Sequence, residues 1–267
     1  SSVLLLSIPA MAIGFSVPLF ATTLQAHHKP NEKAFGQTYA LYNLGAGLSV
    51  LAVEFVLIRN LGLSKSLYLT AALNLFCGLA LALSPLKLPS SWKVPNLNKT
   101  QLTPQHLKAM ALAAFASALL QGFYLKVCYH LFLPHRENFA ICTSMALLSI
   151  VLGTTLVRAF KLQFTSCVFA ALSTLALIYA PFPWILKSYH EIYALLNSAD
   201  SVLFLKLSFA FLLNVPMIFL GATIPALLTK GDAIAYDSGR LLWVSGLANA
   251  LGSLVFVFLA HPFLPLF

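Results

Sequence analysis

Long apolar runs separated by short polar stretches dominate the chain from end to end. A helix rises 1.5 Å per residue, so crossing about 30 Å of hydrocarbon takes about 20 mostly apolar residues. On that ruler the pattern predicts eight spans, A to H, at roughly 2–24, 38–58, 67–84, 109–131, 139–158, 164–186, 201–228 and 241–266. The expected fold class is all-α, a polytopic transmembrane helical bundle. Spans A and G carry internal prolines, Pro9 and Pro18 in one and Pro216 and Pro225 in the other. Each proline frees a carbonyl, so kinks are expected where neighbouring helices cover it. Span C is the shortest, and its Asn74 needs a partner. In 187–199, Tyr189, Ile192, Tyr193 and Leu196 fall at helical spacing. That stretch reads either as a short helix lying in the outer interface or as an ordinary loop.

Composition agrees with the pattern. Apolar residues make up 60% of the 267 residues and charged residues 9%, with a mean hydropathy of +0.87. A soluble domain carries about 25% charged residues, so a soluble enzyme of ordinary surface is excluded. The 16 Lys and Arg against 7 Asp and Glu then report loop topology and contact with anionic lipid, not nucleic acid. Cys77, Cys128, Cys142 and Cys167 all fall inside apolar runs and form no C-x-x-C pair. They read as small buried apolar residues. No secretory signal peptide is visible. The chain starts and stops inside apolar runs, and we expect it to be cut from a longer protein at one or both ends.

Charge sets the orientation. Lys29, Lys33, Lys87, Lys93, Lys99, Lys108, Arg158, Lys161, Lys230 and Arg240 place ten basic residues on one face. The other face has four, Arg59, Lys65, Arg136 and Lys187, with Lys126 and Lys206 near it but inside spans. The positive-inside rule puts loops A–B, C–D, E–F and G–H in the cytoplasm, and we assign the protein to a bacterial inner membrane. The C–D connection, with Pro85, Pro89, Pro95 and Pro104, reads as a linker. The expected division is a first membrane half at 1–84, a cytoplasmic linker at 85–107 and a second membrane half at 108–267.

Two segments repeat one pattern. Pro9, Gly14 and Pro18 have the same spacing as Pro216, Gly221 and Pro225. Gly36, Leu44 and Leu48 follow the first copy as Gly239, Leu247 and Leu251 follow the second. Six spans precede the second copy, so both copies cross in the same direction. Parallel repeats about an axis along the membrane normal are a transporter-type arrangement.

The residues also carry a family resemblance. Pro216 to Pro225, Pro-Met-Ile-Phe-Leu-Gly-Ala-Thr-Ile-Pro, resembles the P-x4-G-A-T-x-P span of membrane-bound spermidine synthase-like proteins. Gly36-Gln-Thr-Tyr-Ala-Leu-Tyr-Asn-Leu-Gly45-Ala46 resembles their G-R-x-Y-A-x-N-x-x-G-A span start, and Gly122-Phe123 their G-F-x-x-L-x-Y-E span. The family's Tyr and Glu in the last motif fall on Cys128 and Tyr129 here, so that carboxylate is missing. The resemblance implies a membrane domain similar to the major-facilitator fold, with A to H as spans four to eleven of twelve. It also implies an adjoining soluble aminopropyltransferase-like domain. The residues here supply no Gly-rich turn after a strand and too few acids for an amine site. The chain alone is expected to have no aminopropyltransferase activity and to be no enzyme, with no cofactor and no metal. His27, His28 and Glu32 read as a solvated loop.

Ionisable residues inside spans cost about 2.5–3.5 kcal/mol each at the bilayer centre on insertion scales, and mark sites by default. Glu54, Lys126, His130 and Lys206 are expected to form one polar cluster in the outer half, either a substrate or proton site or a satisfied ion pair. Gly45, Gly47 and Ser49 in span B and Gly246, Ala248, Ala250 and Gly252 in span H are expected to allow close helix packing, and Asn43, Asn74 and Asn249 to bond between helices. Two functions remain open. A transporter-like module should show a central cavity lined by Glu54, Tyr42, Asn43, Asn249 or Tyr129. A non-catalytic anchor or scaffold subunit should show a filled interior and an apolar lateral face covered by another protein. The expected partners are the lipid bilayer, other membrane subunits or the soluble aminopropyltransferase-like domain.

Overall fold

The computed structural model describes residues 16–21, 23, 31–83, 102–132, 137–228 and 234–260. Pro9, Gly14, His27, His28 and most of the expected linker lie outside the described residues. No strand occurs among the described residues. Helix α1 (Asn31–Leu51) runs through a π-helical segment (Ala52–Ile58) into α2 (Arg59–Leu83). Then follow α3 (Pro104–Leu131), α4 (Glu137–Phe160), α5 (Phe164–Tyr179), α6 (Phe182–Leu195) and α7 (Ala199–Leu213). Two short helices, α8 (Val215–Gly221) and α9 (Thr223–Leu227), precede α10 (Ile234–Val255), which ends in a second π-helical turn (Phe256–Ala260).

Among the described residues, four helices are long and apolar enough to cross a membrane: Phe35–Ala80, Pro104–Leu131, Glu137–Phe160 and Tyr236–Leu259. Two bent pairs raise the number to six if each is one crossing. Phe164–Tyr179 meets Phe182–Leu195 at 59°, and Ala199–Leu213 meets Val215–Leu227 at 49°.

Local chemistry fixes the boundaries. Thr103 caps α3: its side chain accepts from the His106 N–H, and His106 Nδ1 accepts from the Thr103 N–H, both at 3.3 Å. Pro104 then occupies the first turn, where its missing N–H costs nothing. The helix so begins inside the expected linker. Ser198 caps α7 by accepting from the Ser201 N–H at 3.2 Å. The span between Ala199 and Leu227 breaks at Asn214, because Pro216 has no N–H to continue the ladder. The stretch around Tyr189 is helical and starts earlier than its apolar pattern suggested. Tyr189 packs on Phe209 at 4.8 Å between ring centroids, while Trp184 and Ile192 stay exposed.

Spans B and C differ from expectation. Arg59 and Lys65 read as a loop between two helices, yet the chain stays helical through both and breaks only at Gly62. That residue sits at φ 77° and ψ 170°, a region essentially restricted to glycine. Gly62→Ala is expected to lower stability by about 1–3 kcal/mol, read as a drop in melting temperature in detergent. Beyond Gly62, Leu67, Tyr68, Leu75, Phe76, Leu79 and Leu83 are all exposed, and Asn74 shares that surface.

The longest packing seams join α3 to α10 and α1 to α4. One apolar core gathers Tyr124, Cys128, Phe132, Ile141, Cys142, Tyr189, Phe209 and Leu213. A second gathers Val17, Phe35, Met110, Ala114, Ile224, Leu228 and Leu241. The two cores use opposite ends of α3, with Ser117 and Gln121 between them.

Small residues set how closely these seams approach. A Cβ on Gly252 would lie 2.7 Å from the Phe115 carbonyl oxygen and 2.9 Å from Ala118 Cβ. Gly221 faces Ile150 in the same way, with 2.6 Å to its Cγ1. Gly45 does not take part, since a Cβ there would meet nothing within 4 Å. A Cβ on Gly47, two residues on and turned to the opposite side of α1, would lie 3.4 Å from Leu147 Cβ.

Candidate functional site: a central cavity with neutral polar walls

A cavity of about 320 Å³ lies among α1, α3, α4, α8, α9 and α10. Helix α1 contributes Tyr39, Tyr42 and Asn43. Helix α3 contributes Met110, Ala113, Ala114 and Ser117, and α10 contributes Leu242, Ser245, Gly246 and Asn249. Ile150, Leu220, Gly221, Ile224 and Val17 complete the wall. Helical spacing explains the set: positions 242, 245, 246 and 249 fall on one stripe of α10, as 39, 42 and 43 do on α1. Leu241 and Ala248 point into the second core and anchor α10 from its other side.

The polar groups are partly committed to their own helices. Asn43 Nδ2 donates to the Tyr39 carbonyl at 2.7 Å. Ser245 Oγ donates to the Leu242 carbonyl at 3.0 Å, and Ser117 Oγ donates to Met217 Sδ at 3.4 Å. These bonds use donor capacity and leave oxygen lone pairs as acceptors. Tyr42 is 39% exposed, and Asn249 is exposed as well. No Asp, Glu, Lys, Arg or His is among the described residues that line this cavity.

Positions that the proline and glycine spacing would pair meet here. Aligning Gly36 with Gly239 pairs Tyr39 with Leu242, Tyr42 with Ser245 and Asn43 with Gly246, and all six line the cavity. Val17 precedes Pro18 as Ile224 precedes Pro225, and these two also share it.

The residues expected in the outer polar cluster line two cavities that share Tyr129, with Lys206 apart from both. Lys126, Tyr129 and His130 line a lateral cavity of about 460 Å³ with Gln121, Ser253 and Phe256. Glu54, in the π-helical segment after α1, lines another of about 380 Å³ with Ser49, Phe139 and Ala140. Tyr129 borders both. Lys206 belongs to neither. Its Nζ lies 2.9 Å from Glu137 Oε1, with side-chain exposures of 7% and 35%, and 5.8 Å from the Phe132 ring centroid. The expected grouping of Lys206 with Glu54 and Lys126 is therefore corrected. Glu137 in the first turn of α4 reaches the lysine because α4 and α7 pack together.

Of the residues expected around a central cavity, Tyr42, Asn43 and Asn249 line this one. Glu54 and Tyr129 lie on the lateral cavities. Tyr39, Ser117 and Ser245 are additional. The repeat register signals Ser245, as the counterpart of Tyr42, whereas nothing in the sequence distinguishes Ser117 from other serines in apolar helices. Among the described residues, no group of three or more His, Cys, Asp and Glu side chains could hold a metal ion. Comparison with family models, with curated proteins and with solved structures gives no match to this chain.

Proposed function

We propose that the chain is an integral membrane, transporter-like module whose solute site is the central cavity. On this reading it is related to the membrane domain of spermidine synthase-like proteins and crosses the bilayer eight times. The continuous helical run from Phe35 to Ala80 supports a pair of spans there. Its 46 residues would extend to about 70 Å if straight, over twice the hydrocarbon thickness, and Gly62 interrupts it near the middle.

One observation carries the functional reading: positions that the expected repeats would pair line a single cavity. That is the place where transporters built from repeats hold their solute. The lining positions also fall near the ends that the charge count assigns to the cytoplasm, at the starts of spans B, D and H and the end of span G. The aromatic core around Tyr124, Phe132, Tyr189 and Phe209 fills the opposite end. The cavity then faces inward.

Cysteine accessibility tests this. In a Cys77→Ser background, Asn249→Cys is expected to react with a membrane-impermeant maleimide in inside-out vesicles and not in right-side-out ones. Trp184→Cys, on an exposed position of α6, should show the reverse. An Asn249→Cys that stays unlabelled from both sides, while Trp184→Cys reacts, would mean a filled interior and would sink the proposal.

The anchor or scaffold reading has its own support in α2. Its apolar surface after Gly62 is uncovered by any described helix, as expected of a subunit that docks onto another membrane protein. Under that reading, cross-linking from Phe76 would capture a protein neighbour instead of lipid.

A further inference from the structure

We infer that the central cavity selects an uncharged, hydrogen-bonding solute and rejects polyamines and carboxylates. This deepens the transporter reading and rests on it. It departs from the cationic solute that the spermidine synthase-like resemblance suggests.

The argument is one of chemistry. A buried ion needs an opposite charge or a dense set of aligned dipoles, because desolvation disfavours it strongly. The described residues around this cavity supply neither Asp nor Glu for a cation, and neither Lys, Arg nor His for an anion. One charged pair among the described residues, Lys206 with Glu137, stands among the aromatic residues of the other core, where Lys206 lies against Phe132. What the described residues of the cavity offer is neutral. Asn43, Ser117 and Ser245 spend hydrogens on their own surroundings and present acceptor oxygens. Asn249 and Tyr42 supply both donors and acceptors. Apolar walls from Val17, Ile150, Ile224 and Leu242 favour a compact body between those groups. The space, about 320 Å³, equals roughly ten water molecules of liquid volume. A small polyol or a neutral amide matches that inventory.

The test is uptake into proteoliposomes containing the purified full chain. The probes are radiolabelled xylitol and nicotinamide as neutral solutes, putrescine and spermidine as cations, and succinate as an anion. At least one neutral probe is expected to enter ten or more times faster than in protein-free vesicles, and Asn43→Leu should remove that uptake. Asn249→Asp adds a carboxylate to the described wall. It should reduce neutral uptake about tenfold and give measurable putrescine uptake. Wild-type uptake of putrescine, spermidine or succinate with neither neutral probe entering overturns the inference and leaves the transporter reading standing. If no probe of any class enters, the inference also falls. Labelling of Asn249→Cys then separates the two ideas: a reactive cysteine keeps the inward-facing cavity, and an inert one removes both.

Discussion

Replacing Gly153 with alanine is expected to abolish recovery of folded protein. Gly153 lies on α4 where that helix crosses α8. A Cβ there would fall on the carbonyl oxygen of Ile218, 2.9 Å from the carbonyl carbon and 3.2 Å from the Ala222 nitrogen. These are backbone atoms, so no rotamer change relieves the clash. The Ile218 carbonyl is also committed, accepting from the Ala222 N–H at 3.2 Å. A Cβ on Gly221 would in turn lie 2.9 Å from Ile150 Cα, so the crossing has glycine on both sides and no slack on either. Overpacking by one methyl group usually costs about 1–3 kcal/mol. A contact against main chain belongs at or above the top of that range. Monodispersity and melting in detergent measure the effect. Gly45→Ala, which meets nothing within 4 Å, is the matched control and should behave as wild type. Equal melting temperatures for the two variants would refute the close crossing.

The ion pair between α4 and α7 predicts an asymmetric result. Glu137→Ala strands the Lys206 ammonium, whose side chain is only 7% exposed, whereas Lys206→Met leaves a carboxylate that is 35% exposed. Breaking a buried pair by removing one partner costs about 3–5 kcal/mol when the remaining charge stays desolvated. Glu137→Ala should approach that loss. Lys206→Met should cost clearly less, because Glu137 hydrates and the methionine keeps its contact with Phe132. The double variant should melt above Glu137→Ala alone, since the stranded charge is gone. Equal losses for the two single variants would show that Lys206 reaches water by another route.

The all-helical architecture is legible in the sequence because the apolar runs are long and interrupted mainly by proline and charge. The break before Pro216 is equally legible, since the missing N–H is a covalent fact. The continuity from α1 to α2 is not. Hydropathy reports transfer to lipid, and Arg59, Asn60 and Lys65 are unfavourable there, yet all three are acceptable helix formers or surface residues. Only the backbone at Gly62 decides where the helix stops. The same distinction applies to the site. Tyr42, Asn43 and Asn249 stand out as polar groups within apolar runs, and the repeat register links Tyr42 to Ser245. Glu137 escapes notice because it falls just outside the apolar stretch of its span. Its partner depends on how α4 and α7 pack, which no periodicity encodes. Grouping Lys206 with Glu54 and Lys126 by depth alone ignores azimuth around each helix: Lys206 turns to Glu137, while Glu54 and Lys126 line two cavities that share Tyr129.

The interruption at Asn214 has a mechanical meaning. An unbroken helix is a strut, carrying a push at one end to the other. Here the Asn214 N–H is shared between the Ala210 and Phe211 carbonyls, Pro216 contributes no rung, and the axis turns by 49°. Leu220 and Gly221 on the far side border the cavity, while Lys206 on the near side is fastened to Glu137. On the proposed reading, an occupant at Leu220 would press on α8 where Gly153 and Gly221 lock it to α4, and the turn at Asn214 separates that contact from the clamp around Lys206.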